Sequence, residues 1–154
     1  IRKLILNNKS DFNKNTDLLL YMAARSENID LIKNSYKKKV ILIDRFTDST
    51  IAYQHYGMGV SINLIKTLNK YLLKNIKVDF TFLNIVNRNN LYERLKKRKS
   101  LNRYDRFNMT FYNKVQNGFI KLSKLKRNKY KLINSNLEIK NNEKLILNII
   151  DKLI

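Results

Sequence analysis

Residues 40–45, VILIDR, set four apolar side chains in a row directly before an acid and a base. Such a run has no polar face, so it is satisfied only where both faces are covered, as in an interior strand of a parallel sheet. Residues 40–44 are therefore predicted to form a buried strand, with Asp44 and Arg45 at its carboxyl end. In open α/β sheets ligands bind at that edge. The pair has two readings: an ion pair that closes the strand, or a carboxylate and a guanidinium set for phosphate and metal chemistry.

The 154 residues are one domain's worth, and their 44% hydrophobic content lies well above a disordered composition. No apolar stretch approaches the roughly 20 residues of a membrane span. Cysteine is absent and His55 is the single histidine, which excludes disulfides, thiolate metal sites and histidine-rich metal sites. The formal charge of +20 favours an anionic partner. The basic residues are scattered among abundant Asn and Ile and form no nucleic-acid-binding motif, so nucleic acid is not the expected partner.

Along the chain, residues 1–8 are predicted as a short helix and 16–39 as a long one with Thr16 as N-cap. Tyr21 and Arg25 are four apart and share a face of that helix. On spacing alone they read first as a core tyrosine with a solvated arginine. A short helix over 47–56, a helix over 61–75 capped by Ser61, a strand over 78–86 and a helix over 87–99 follow, with Glu93 paired to Lys97. Residues 94–106 are strongly basic, and Ser100 to Tyr104 read as a loop carrying arginines. A helix over 105–126 carries the stripe Phe107, Phe111, Val115, Phe119, Leu122; a strand over 130–134 and a helix over 143–153 close the chain. Strands alternating with helices imply parallel strands joined by crossovers.

Three runs, LLYMAAR at 19–25, VILIDRFTDSTIAYQHYG at 40–57 and LYERLKKRKSLNRYDRF at 91–107, resemble in order and spacing the bacterial thymidylate kinase family. The resemblance implies a three-layer α/β P-loop nucleoside-monophosphate-kinase-like fold with a parallel sheet, as a single domain over 1–154. It also implies transfer of the γ-phosphoryl group of ATP to dTMP, giving dTDP, with Mg2+, in a cytoplasmic homodimer. Matched residue by residue, Tyr21 falls where an aromatic stacks on thymine, and Arg25 where an arginine bonds a thymine carbonyl. Ser49 and Thr50 match a hydroxyl pair near the base. Tyr53, with Gln54 beside it, matches the deoxyribose wall. Arg45 matches the arginine on the dTMP phosphate, and Asp44 the position that reaches Mg2+ through water. Residues 94–106 match the lid, in which Arg98 and Arg103 correspond to arginines on the ATP phosphates.

The family begins with a strand, a GxxxxGK[ST] loop and an Arg-Glu-Pro segment, none of which has a counterpart among these 154 residues. The expectation is an N-terminally truncated chain, missing the first strands and the P-loop, that keeps the dTMP pocket without competent activity. His55, Met58 and Asn84 are smaller departures, and His55 reads as a loop residue. The alternatives are a deoxynucleoside kinase, a basic nucleic-acid-binding module and a non-catalytic nucleotide-binding remnant.

Overall fold

The structure is a computed structural model that describes residues 1–35, 38–98 and 100–154. Its elements, in order, are α1 (Arg2–Leu6), α2 (Lys14–Lys33), α3 (Thr47–Thr50), a π-helical turn (Ile51–Gly57), α4 (Ile62–Leu73), β1 (Thr81–Ile85), α5 (Arg88–Lys96), a 3-10 turn (Arg103–Arg106), α6 (Met109–Leu125), a 3-10 turn (Arg127–Lys129), β2 (Tyr130–Asn134) and α7 (Ile139–Ile150). No helix among the described residues is long and apolar enough to cross a membrane. The chain divides into two compact units, Ile1–Val78 with Leu101–Leu122, and Asp79–Ser100 with Ser123–Ile154.

In the first unit α2 starts earlier than predicted. Asn13, not Thr16, is the N-cap, its side chain accepting from the Asn15 and Thr16 amides, which satisfies N–H groups the first turn cannot pair internally. The predicted helix extended past Lys33; its positions Tyr36 and Lys37 lie outside the described residues, as does Lys99 of the basic run. Leu18, Met22, Ile51, Val60, Ile65 and Leu122 form one buried cluster; Ile5, Ala52, Tyr104, Phe111 and Val115 form another. The α6 stripe therefore turns inward at Phe111, Val115 and Leu122.

Gly118 of α6 is a point of close approach: a Cβ there would stand 2.5 Å from Cδ2 of Tyr56. Helix propensity alone favours Gly118→Ala by about 1 kcal/mol. The overlap outweighs it, and the substitution is expected to cost about 1–2 kcal/mol net, read as a lower urea midpoint at unchanged slope.

The predicted strand over 40–44 does not form. Val40 and Leu42 are 61% and 80% exposed, and no strand among the described residues pairs with the segment. Apolar composition prepares a segment for a sheet interior, but a strand exists only where a neighbour completes the ladder.

The second unit holds the sheet. β1 and β2 pair in parallel, from Thr81 opposite Tyr130 to Ile85 opposite Asn134, and Leu83 and Ile133 are its buried positions. Asn87 caps α5 by accepting from the Asn90 amide. Asn136 Oδ1 accepts from the Asn87 amide at 3.1 Å and from Asn90 Nδ2 at 2.9 Å, so the turn after β2 is bonded to the start of α5. Glu93 meets Lys96 at 3.7 Å rather than Lys97, the i,i+3 neighbour being equally close on a helix surface.

Candidate functional site

The candidate residues Tyr21, Arg25, Asp44, Arg45, Ser49, Thr50, Tyr53, Gln54 and Arg103 all belong to the first unit. Arg25 is not a solvated arginine: it is buried at 9% exposure. Its Nη1 donates to Asn69 Oδ1 at 2.8 Å, and its Nη2 donates to the Phe46 carbonyl at 3.0 Å and to Thr50 Oγ1 at 2.7 Å. The guanidinium also lies 5.4 Å from the Phe46 ring centroid. Burial pushes its pKa down to about 10, with Asp48 pulling the other way; it remains a cation at neutral pH. Thr50, expected near a base, spends its oxygen on holding Arg25. Ser49 is half-buried in α3 beside it.

Arg45 has a positive φ of 63°, a conformation that costs a non-glycine residue energy and recurs at functional sites. The backbone turn sends its guanidinium over Tyr53, 4.9 Å from the ring centroid. Arg45 is exposed as a residue; partial desolvation of its head disfavours the charge, but Tyr53, Asp44 and Tyr21 together outweigh that and hold the pKa above the usual value. Asp44 is exposed. Among the described residues no group of three carboxylates, histidines or cysteines could hold a metal ion. A lone exposed carboxylate does fit Mg2+, which is commonly bound by one or two carboxylates, substrate phosphates and retained waters.

Tyr53 and Tyr21 meet edge-on through a third tyrosine. Tyr104 stands 5.8 Å from Tyr53 and 6.1 Å from Tyr21, both at steep interplanar angles. Its hydroxyl donates to Asp17 Oδ2 at 2.5 Å. Burial raises the Tyr104 phenol far above its ordinary value, and Tyr21 and Asp17 add in the same direction, so it stays a proton donor. Burial likewise raises Tyr21.

Asp17, fully buried, anchors this side of the site. Gln54 Nε2 donates to Asp17 Oδ2 at 3.0 Å and to Tyr104 Oη at 3.2 Å. Arg103 Nη1 donates to the other Asp17 oxygen, and its Nη2 donates to the Phe12 carbonyl at 3.2 Å. The structure thus puts Gln54 in a buried polar network rather than on an open wall, and gives Arg103 an acidic partner. The turn itself is built by a reciprocal cap, in which Asn102 Oδ1 accepts from the Tyr104 and Asp105 amides while Asp105 accepts from the Asn102 amide. Arg98 belongs to the second unit, exposed just past α5.

Three residues central to this geometry, Asp17, Asn69 and Tyr104, carry no role in the sequence reading. Asn69 left a signal: it lies four residues after Ile65 and three before Leu72, a polar side chain on an apolar helix face. His55 lies within the π-helical turn rather than in a loop, and its Nδ1 meets the Val60 carbonyl at 2.8 Å.

The family model described as thymidylate kinase matches residues 1–146. The chain is 35% identical over 130 residues to a thymidylate kinase of Thermosipho africanus, covering 83% of this chain and 64% of that one. It is 34% identical over 154 residues to a thymidylate kinase of a Wolbachia endosymbiont of Brugia malayi, covering 99% of this chain and 72% of the relative. The crystal structure of thymidylate kinase from Ehrlichia chaffeensis superimposes with a TM-score of 0.69 at 29% identity, over 94% of this chain and 68% of that one. That likeness establishes the α/β P-loop nucleoside-monophosphate-kinase fold class for the elements present. The chain spans 64% of the length of the Thermosipho relative.

Proposed function

The chain belongs to the thymidylate kinase family, and from that premise we propose that its first unit is the acceptor side of a site for phosphoryl transfer from ATP to dTMP, giving dTDP. The observation that carries this reading is Arg45, held at positive φ with its guanidinium over Tyr53. A bulky side chain kept in a costly backbone state is explained by what its head group must reach.

Tyr21 supplies a π-face for thymine. Arg25 has only donors to offer, which suits the O4 acceptor of thymine and mismatches the amino group of cytosine. Thr50 acts behind it by accepting from Nη2, and Ser49 brings a second hydroxyl to the base. Tyr53 forms the deoxyribose wall, with Gln54 acting through the Tyr104 hydroxyl. Arg45 neutralises the dTMP phosphate. That oxygen is already anionic, so placement and charge neutralisation are needed rather than a strong base.

Magnesium bound with ATP supplies further neutralisation of phosphate charge, and Asp44 is the residue that would hold it through its waters. Arg98 and Arg103 serve the ATP phosphates in the lid over 94–106. Arg103 would exchange its Asp17 carboxylate for phosphate on binding. A cytoplasmic homodimer is the assembly we propose; Leu19 and Leu31 of α2 and Leu64 and Tyr71 of α4 are exposed apolar side chains that such an interface would cover.

Isothermal titration of the chain with dTMP and with thymidine tests the acceptor role. The phosphate is expected to tighten binding about tenfold or more through a charge-assisted contact to Arg45. Equal affinity for the two ligands would point instead to a deoxynucleoside acceptor.

A further inference from the structure

We infer that Asn69 is a positioning residue for Arg25, and through it a determinant of which pyrimidine base the acceptor site takes, a role that rests on the dTMP reading above. Arg25 is a buried cation whose hydrogen-bond acceptors are neutral. They come from different places in the unit. Phe46 caps the start of α3 and Thr50 is its last residue, whereas Asn69 reaches in from α4. A planar guanidinium held at Nη1 by Asn69 and the Met22 sulfur and at Nη2 by the Phe46 carbonyl and Thr50 cannot rotate, so the direction of its remaining donor, Nε–H, is set.

The Asn69 amide is itself oriented by this contact. A guanidinium accepts nothing, so Oδ1 must face Arg25, and Asn69 is buried at 7% exposure. Removing that acceptor leaves an Nη1 donor in a buried place without its partner. The guanidinium then turns toward whatever acceptor it can reach, and its remaining donor no longer meets the position of thymine O4. Cytosine presents a donor at that position, so the fixed geometry is what separates the two bases. A freed Arg25 keeps its charge and loses the discrimination.

The test is the dissociation constant of dTMP and of dCMP for the unsubstituted chain, Asn69→Leu and Asn69→Asp, with urea unfolding of each. Asn69→Leu is expected to weaken dTMP about tenfold while leaving dCMP nearly unchanged, so that the dTMP:dCMP preference falls about tenfold. Asn69→Asp keeps an acceptor oxygen and should retain the preference within about threefold. If the leucine variant does not fold, Asn69→Ala removes the acceptor without added bulk and gives the same reading. A residue that served packing alone would lower stability and leave the preference unchanged; that result, with dTMP still bound by the unsubstituted chain, overturns the role of Asn69 and spares the acceptor site. Failure of the unsubstituted chain to bind dTMP overturns the acceptor reading and the role of Asn69 with it.

Discussion

Asp17→Leu is expected to destabilise the first unit by about 3–5 kcal/mol, the cost of removing one partner from a buried ion pair. Asp17 is completely buried and the Arg103 side chain is only 12% exposed, so water cannot replace the lost carboxylate. The substitution strands the Arg103 guanidinium, the Tyr104 hydroxyl and the Gln54 amide at once. Arg103→Leu alone should cost less, because Asp17 keeps its bonds from Tyr104 and Gln54. The double substitution should be less destabilised than the sum of the two, since the charges disappear together. Urea unfolding followed by circular dichroism reads all three. A loss within about 0.5 kcal/mol for Asp17→Leu, the range of ordinary surface substitutions, would mean that the network contributes nothing to the fold.

Arg45 gives the second large effect, one that separates chemistry from backbone strain. Arg45→Ala and Arg45→Gly both remove the guanidinium and its contact with Tyr53. Both are expected to weaken dTMP binding about 10- to 100-fold, the worth of a charge-assisted bond to phosphate. Their stabilities should differ. At φ 63° an alanine retains the steric cost of the left-handed region and a glycine does not, so Arg45→Gly should exceed Arg45→Ala by about 1 kcal/mol. Equal stability would mean that the backbone relaxes once the long side chain is gone. Unchanged dTMP binding in both would remove Arg45 from the phosphate.

Much of this was legible from local pattern. The apolar period of three and four read the inward face of α6 correctly at Phe111, Val115 and Leu122. The short β-rich runs around Leu83 and Ile133 became the paired strands, and the spacing of Tyr21 and Arg25 set both on one helix whose first turn also carries Asp17. Ion and hydrogen-bond partners were not legible in the same way. Asp17 reads as an ordinary acid near a helix N-terminus, yet its oxygens are taken by residues 37 and 87 positions away along the chain. Arg103 reads as a mobile cation in a basic run and is instead bonded to that acid.

Sequence by itself determined which segments could be helices, which residues carry charge or a π-face, and which family motifs stand in order along the chain. Those properties are local, because side-chain period and chemistry travel with a few consecutive residues. Tertiary structure decided that VILI at 40–43 stays outside the sheet, that Arg25 is buried on neutral acceptors, and that Asp17 gathers Gln54, Arg103 and Tyr104. A ladder, a buried cation and a buried carboxylate each need partners from another segment to replace lost water, and partnership between distant segments exists only once the chain has folded.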